Sequence, residues 1–290
     1  MRLFCYINIL FLLVFIKVNA QQGSPFTLSV NYFPVNSGNE PIMLNSNFSL
    51  NIPVHRGTLF TYLAGTNFKY FRLNLQEDTL NINNLYSWSI PVTSILRISP
   101  NKIITLLVEP IISSDFKDIG ANNFRYNMAL FYGKKNGLNS WGIGLAISKR
   151  FSGFQIIPLG TFNFHLNKNW VFSGIFPFKP RLIYELDKTQ QIGISFGINN
   201  NSFRLSELQE SHYINSQLVE AGFFYQKTIV KHFKMDIFMG IQSLQTEIYN
   251  RDQTFSVSIF PINQNKNENA IESFTNNGLL LQFSFSYALF

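Results

Sequence analysis

Several charged residues of this sequence are spaced so that they would lie on one face of an extended strand. In the segment KPRLIYE, Lys179, Arg181 and Glu185 are separated by even numbers of residues, and side chains two positions apart on a strand point the same way. Other charged residues that alternate with apolar neighbours in this manner are Arg97, Arg125, Glu220 and Asp236. Grouped charges of this kind bind and orient polar solutes, or pair with one another when they are hidden from bulk water. The sequence therefore predicts either a solute constriction or a set of structural ion pairs.

The histidines show no metal-binding or catalytic pattern. They are His55, His165, His212 and His232, and no two have the spacing of metal ligands. A hydrolase that works from a strand can place a serine two residues after its histidine, so that both project from one face. The positions two after the histidines hold Gly57, Asn167, Ile214 and Lys234. Because the serine is missing at each position, the sequence predicts a protein that is not an enzyme and has no catalytic residue. The histidine spacing predicts no metal site, and the lack of a Walker-type loop or dinucleotide fingerprint predicts no cofactor.

The elements that must position the charged residues are β-strands. Large apolar side chains alternate with Gly, Ala, Ser, Asn or Gln in residues 141–148, 192–199 and most of 279–287, and this period of two is typical of strands. Segments rich in Asn, Asp, Gly and Lys separate the strands and favour hairpin turns. Longer polar connections are predicted at 113–123, 199–217 and 263–278. The sequence indicates one all-β domain from 21 to 290.

The small side chains on the second face decide between two all-β architectures. A soluble β-sandwich, the alternative fold, turns charged and polar residues toward water. Here the second face carries mainly Gly, Ser, Asn, Ala and Thr, which fit the crowded interior of a closed barrel. We therefore predict a single transmembrane antiparallel β-barrel of about 12 strands, within a range of 10 to 14, from the ~9–11 residues of each spanning strand. Segment 170–186 could form one long strand or two, joined near Pro177–Pro180.

Composition and the N-terminal segment bear on the compartment. Aromatic residues make up 16% of the chain and charged residues 13%, which is well below the ~25% typical of soluble domains. The formal net charge of +7 is dispersed, which argues against a nucleic-acid partner. Residues 1–20 have the basic, apolar and small-residue regions of a secretory signal peptide, and they contain the sole cysteine, Cys5. We expect cleavage after Ala20 and insertion into the lipid of a Gram-negative outer membrane.

The C-terminal strand carries a candidate assembly signal. Phe285 and Tyr287 lie on the apolar face of this strand, and the chain ends at Phe290. A terminal aromatic residue of this kind is expected to be read by the barrel-assembly machinery during insertion. Phe290 is an odd number of residues from Phe285 and Tyr287, so on a regular strand it would lie on the opposite face. The prediction therefore requires the strand to end at Leu289 or to contain a bulge.

The chain resembles the outer-membrane β-barrel proteins of Bacteroidota that carry a domain of unknown function. The resemblance covers the chain after residue 20 and rests on the pattern LNKNWVFSGIFPFKPRLIYEL followed by QQIGISFGI, together with the aromatic terminal strand. It implies location and fold, and it assigns no functional residue.

Three classes of function fit these features. The first is a non-enzymatic structural barrel or small-solute channel, in which lumen charges set selectivity. The second is a barrel enzyme that modifies lipid or lipopolysaccharide at its rim. The third is an adhesin or assembly partner that works through long loops. The lack of a catalytic pattern favours the first class.

Overall fold

A computed structural model describes residues 26–32, 44–72, 84–151, 153–205, 212–230, 232–250, 256–259 and 270–287. These residues form β-strands and one short 3-10 turn, Ala121–Asn123. In this part of the chain, no helix is long and apolar enough to span a membrane. The proposed signal peptide, residues 1–20, lies outside the described residues.

The strands are numbered in chain order. They are β1 (Phe26–Tyr32), β2 (Leu44–Arg56), β3 (Phe60–Arg72), β4 (Asn84–Ser89), β5 (Val92–Ser99), β6 (Lys102–Ser114), β7 (Phe124–Asn136), β8 (Asn139–Arg150), β9 (Gly153–His165), β10 (Trp170–Phe176), β11 (Lys179–Glu185), β12 (Gln190–Arg204), β13 (His212–Val230), β14 (Phe233–Asn250), β15 (Ser256–Ile259) and β16 (Glu272–Tyr287).

Among the described residues, the strands close into an antiparallel barrel with a wall of 14 strands. Strands β4 and β5 share one wall position between β3 and β6, and β15 lies outside the wall, parallel to β9. Strand β1 pairs with both β2 and β16, and the pairing of β9 with β10 completes the ring. This ring rules out the β-sandwich alternative. The wall has more strands than the expected number of about 12 and reaches the upper end of the predicted range of 10 to 14. Segment 170–186 forms two short strands, β10 and β11, rather than one long strand, which accounts for one of the two additional strands.

The two ends of the barrel differ in their connections. At the turn end, short connections such as 137–138 and 186–189 join the strands, and the first residue of β1 pairs with the last residue of β16. In one of these turns, the Asp187 carboxylate accepts hydrogen bonds from the Thr189 hydroxyl, the Thr189 N–H and the Gln190 N–H. These bonds favour the charged form and lower the pKa of Asp187 below its ordinary value. At the opposite end, the loop end, residues 33–43, 73–83 and 206–211 lie outside the described part of the chain.

Alternation along each wall strand separates large outward side chains from small inward ones. In β8, Trp141, Ile143, Leu145 and Ile147 are exposed on the outside, as the sequence predicts. A Cβ atom added to the inward Gly144 would lie 2.6 Å from Cδ1 of Phe131, so the interior has no room for a larger residue. In β16, the outward Leu279 is 58% exposed and the inward Leu280 is 1% exposed.

Four strands on one side are longer than their neighbours and extend the wall at the loop end. Strands β12, β13, β14 and β16 have 15, 19, 18 and 16 residues. Much of the predicted polar connections 199–217 and 263–278 therefore belongs to strands, which corrects that expectation. Polar residues on the outer face are compatible with a strand, because the hydrogen bonds between strands use only backbone groups. On the inner face of the same strands, Phe203 and Ile214 are fully buried. Residues 115–120 of the third predicted connection are irregular.

The end of β12 crosses the mouth of the barrel and joins the end of β6. Arg204 pairs in a parallel bridge with Ser114, beyond the point where β7 leaves β6. The Arg204 guanidinium donates to Oδ1 of Asn123 at 3.0 Å, and the same oxygen accepts the Gly120 N–H at 3.0 Å. Asn123 is fully buried, so its amide fixes this junction from within the protein.

Replacing Asn123 with Ala is expected to destabilise the junction. The change removes the oxygen that accepts the Gly120 N–H and one hydrogen bond of the Arg204 guanidinium, and each buried hydrogen bond that is lost costs about 1–3 kcal/mol. The temperature at which the folded, heat-modifiable band disappears from a detergent gel should fall. Asn122→Ala, at the exposed neighbouring position, serves as the control and should leave that temperature unchanged. An unchanged temperature in Asn123→Ala would show that the junction does not contribute to closure.

Candidate functional site

An apolar plug fills much of the lumen on the side of the long strands. Its buried members are Phe71, Leu85, Phe203, Leu205, Ile214, Leu218, Phe224, Phe238, Leu244, Ile248 and Leu280. At the loop end the rings of Phe71 and Phe203, from opposite parts of the wall, meet edge to face with centroids 5.2 Å apart. These side chains therefore pack against each other across the barrel and narrow its loop end among the described residues.

A polar group on the opposite side of the lumen centres on Glu109 of β6. Its carboxylate accepts hydrogen bonds from Asn67 Nδ2 at 3.2 Å, Ser89 Oγ at 2.7 Å and Asn127 Nδ2 at 2.9 Å. The Ser148 hydroxyl donates to Oδ1 of Asn127 at 2.7 Å, so the network runs across several wall strands. These neutral donors satisfy the Glu109 carboxylate without a direct ion pair.

Three cations surround this network, and we call Lys69, Arg125 and Arg150 the basic cluster. Lys69 and Arg150 each lie close enough to Arg125 for electrostatic repulsion, and Glu109 attracts both Lys69 and Arg125. Arg125 is only 8% exposed, its guanidinium lies 5.3 Å from the centroid of the Phe151 ring, and its Nε has no hydrogen-bond partner among the described residues. The cluster therefore holds more positive than negative charge, together with an unused buried donor.

A second charge group lies in the lumen near the plug and contains four of the predicted residues. Arg181 Nη1 lies 3.4 Å from Oδ2 of Asp236, and its guanidinium stacks 4.5 Å from the centroid of the Phe224 ring. Lys179 interacts electrostatically with Arg181, Glu220 and Asp236. Two cations thus face two carboxylates, which makes this group electrically balanced.

The other predicted residues lie elsewhere. Arg97 is exposed at the turn end and donates to the carbonyl oxygen of Thr58 at 3.3 Å. Glu185 ends β11 near the same end and accepts from Gln191 Nε2 at 3.3 Å. Arg125 belongs to the basic cluster. The seven residues therefore occupy four separate places rather than one constriction, because Arg97 of β5 and Glu185 of β11 lie on opposite sides of the turn end.

The sequence predictions missed Lys69, Glu109 and Arg150. The alternation rule that selected the other charges would also have selected Lys69, which lies between Phe68 and Tyr70. Glu109 precedes Pro110, and a proline weakens the assignment of a strand. Arg150 is the last residue of its strand, and at a strand end the alternation of side chains only weakly indicates whether a residue points inward or outward. In the described part of the chain, no three His, Cys, Asp or Glu residues are placed to hold a metal ion.

Replacing Asp236 with Asn is expected to lower the stability of the barrel. Arg181 would keep its charge beside Phe224 but lose its carboxylate partner, at a cost of about 1–3 kcal/mol. The double variant Arg181→Met/Asp236→Leu should recover most of this loss, because it leaves no unpaired charge. The urea midpoint of unfolding measures both effects.

The control for this prediction is Lys117→Met, which breaks the pair between Lys117 and Asp115, with nitrogen and oxygen 3.9 Å apart and Lys117 largely exposed. The Asp115 side chain is only 8% exposed, but the pair is long, its cation lies in solvent and the Lys117 N–H still donates to Asp115, so the midpoint should stay near that of the wild type. An Asp236→Asn variant as stable as the wild type would show that water in the lumen solvates Arg181 adequately.

Comparisons with known proteins give a family and distant structural likenesses. No protein of curated function shows significant sequence similarity to this chain. The NanC porin structure aligns with a TM-score of 0.40 and 8% identity, covering 91% of this chain and 100% of the porin. The ferric enterobactin receptor PfeA of Pseudomonas aeruginosa, as a mutant, aligns with a TM-score of 0.28 and 8% identity, covering 92% of this chain and 81% of the receptor.

The ferric-catecholate import receptor Fiu of E. coli aligns with a TM-score of 0.27 and 7% identity, covering 94% of this chain, which spans 53% of that receptor. At these scores the likenesses transfer no property to this chain. The sequence pattern of a family described as "Domain of unknown function (DUF6268)" matches residues 36–281. Because this match spans most of the chain, the protein belongs to the DUF6268 family.

Proposed function

We propose that this protein spans the outer membrane of a Gram-negative bacterium and is a non-enzymatic barrel for the passage of small molecules, closed in the present conformation. The observation that carries the membrane placement is the exposed apolar surface around the outside of the wall. Leu130, Ile143 and Phe223 are 54%, 62% and 71% exposed, and they lie on two different sides of the barrel. Exposing apolar area to water costs ~25 cal/mol for each Å², whereas exposing it to lipid does not.

Aromatic pairs near the strand ends support the same placement. At the turn end, Tyr132 contacts Trp141 with ring centroids 6.2 Å apart, and Trp170 contacts Tyr184 at 5.0 Å. At the loop end, Tyr86 contacts both Tyr70 and Phe116 at 5.4 Å. Aromatic residues gather at the two interfaces of membrane barrels, because their rings suit the border between acyl chains and water.

The length of the apolar band fits a bilayer. On the outer face of β8, four large apolar residues run from Trp141 to Ile147, and Lys149 follows at the loop end. The distance from Trp141 to Lys149 is roughly 27 Å along an antiparallel strand. At the ~35–45° tilt of strands in outer-membrane barrels, that length spans roughly 20 Å, which covers most of their apolar band of about 25 Å.

The partners expected from this placement are membrane lipid and the barrel-assembly machinery. Phe285 is exposed on the outer face of β16, and the Tyr287 ring packs 4.9 Å from the Phe233 ring. Both residues are available for the proposed assembly signal, and Phe290 lies outside the described residues. The signal peptide and an origin in Bacteroidota rest on the sequence and form part of this proposal.

The apolar plug governs the passage itself. A polar solute that entered from the turn end would meet the group of Lys179, Arg181, Glu220 and Asp236 before it reached the packed side chains around Phe203. Dewetted apolar constrictions close channels, since an ion loses its hydration there without compensation. The geometry therefore favours a closed passage over a permanently open pore.

In planar bilayers, the wild-type barrel is expected to insert and to show little steady conductance, and Phe203→Ala should raise it by opening the plug. The matched control is Phe223→Ala, which removes an outward ring and should leave conductance unchanged. Because a buried Phe→Ala change costs ~3–5 kcal/mol, heat-modifiable migration must confirm that each variant is folded. A large steady conductance in the wild type would overturn the closed state, and failure to insert into lipid vesicles would overturn the membrane placement.

A further inference from the structure

The basic cluster projects into the lumen from three wall strands. Lys69 of β3 lies two residues from Asn67, whose amide belongs to the polar network inside the lumen. Arg125 of β7 is buried, and Arg150 of β8 is an even number of residues from the inward Gly144. Positive charges from three separate strands therefore meet inside the barrel.

Two of these cations face each other directly. Tyr126 of β7 pairs with Lys149 of β8, and the next step along both strands puts Arg125 opposite Arg150. Like charges in opposite positions on neighbouring strands are destabilising, and these two guanidinium groups repel each other. A protein that keeps this repulsion in its interior departs from what folding alone favours, and such departures are expected at functional sites.

The carboxylate beside the basic cluster offsets only part of its charge. Glu109 attracts Lys69 and Arg125, but it already accepts three hydrogen bonds from neutral donors. Among the residues that the structure describes, none of the three cations forms a direct ion pair. One negative charge against three positive charges leaves an excess of about two, which is close to the charge of a phosphate group at neutral pH.

Each member of the basic cluster also has a donor that no described residue uses. The Arg125 Nε is buried without a hydrogen-bond partner among the described residues. The Arg150 guanidinium donates to Oε1 of Gln155 and keeps further N–H donors. The Lys69 ammonium makes no hydrogen bond within the described part of the chain. Because buried donors are normally satisfied, the cluster lacks an acceptor.

Space for an acceptor lies on the inner side of the wall. Lys69, Arg150, Asn127 and Ser148 point inward, yet each is only partly buried. Their remaining exposure is to space within the barrel that water can enter, since the wall separates these side chains from the outside. A small anion that replaces this water would reach the donors of the basic cluster.

The donor types favour an oxyanion over a halide ion. A guanidinium group presents its N–H groups as a planar fork that matches two oxygen atoms of a phosphate, sulfate or carboxylate. Lysine adds a compact positive charge, which is common against phosphate oxygens. A single carboxylate carries one charge, whereas a phosphate or sulfate ion supplies about the two charges that the basic cluster leaves unmatched.

We propose that the basic cluster binds a small doubly charged oxyanion of the phosphate or sulfate class in the lumen. One oxygen accepts a hydrogen bond from the Arg125 Nε, and the others pair with Arg150 and Lys69, so that the ion relieves the repulsion between the guanidinium groups. No bond is made or broken. The inference rests on the proposed function and deepens it, because it names the class of solute that the barrel admits.

The test measures binding of radiolabelled inorganic phosphate to the full-length barrel by equilibrium dialysis in dodecyl maltoside, a detergent without phosphate groups. Phosphate should bind saturably. Arg125→Gln should weaken binding roughly tenfold to a hundredfold, as for loss of hydrogen bonds to a charged group. The matched control is Arg97→Gln at the exposed turn end, which makes the same chemical change and should bind like the wild type.

Variants of the other charges test the balance of the site. Lys69→Gln should also weaken binding, whereas Lys134→Gln, at the exposed turn end of β7, should not. Glu109→Gln should strengthen phosphate binding severalfold, because it removes the negative charge beside the ion. Unchanged binding in Glu109→Gln would show that the anion does not lie at the basic cluster.

Competition identifies the anion. Sulfate should displace phosphate, whereas chloride and acetate at the same ionic strength should displace it far more weakly. Acetate that competes as well as sulfate would overturn the doubly charged class. Glycerol phosphate that competes better than inorganic phosphate would assign the phosphate group to a small ester rather than to the free ion.

The outcomes separate this inference from the proposed function. Heat-modifiable migration must show that each variant is folded, and Arg125→Lys, which keeps the charge but loses the planar fork, replaces Arg125→Gln if that variant does not fold. A folded barrel that binds no phosphate, or that binds it equally well in Arg125→Gln and Lys69→Gln, overturns the inference alone. A barrel that binds phosphate in detergent but does not insert into lipid vesicles overturns the proposed function instead.

Discussion

The closure of the backbone hydrogen-bond ladder is the constraint on which the rest of this structure depends. A wall of 14 antiparallel strands gives every interior strand two partners, and β1 joins β16 to complete the ring. Each ladder also fixes which side chains point inward, because the side-chain period is exactly two residues. The exposed apolar surface and the small inward residues are therefore two consequences of one register.

The unequal lengths of the strands determine which parts of the lumen are apolar and which are charged. Strands β12, β13, β14 and β16 extend past their neighbours, and their inward residues form an apolar plug with Phe71 and Leu85. The shorter strands on the opposite side carry Glu109 and the basic cluster, which lie apart from the plug. A charge can remain in this interior because it is hydrogen-bonded, paired or stacked on a ring, as Arg181 is with Asp236 and Phe224.

The hairpin of β10 and β11 is the place where the wall departs from regular closure. Places where a protein departs from regular strand pairing are often functional, because an irregularity that lowers stability is otherwise not expected to persist. Here the short hairpin lies beside a second apolar cluster on the inner face, which contains Ala129, Ile157 and Leu159. The junction of Arg204 with Asn123 closes the mouth above this hairpin and so confines the irregularity to the side of the barrel.

The sequence by itself determined the strands, their faces and the barrel class, because alternation in segments such as 141–148 and 279–287 is local and needs no knowledge of neighbours. It also indicated that Arg181 and Asp236 point inward. Only the tertiary structure decided that these residues, 55 positions apart, meet each other, and that Asn67 reaches Glu109 across 42 positions. Strand number, the plug and the short hairpin of β10 and β11 likewise depend on which strands become neighbours and how far each extends. Those properties arise from closing the whole ladder, and no single segment encodes them.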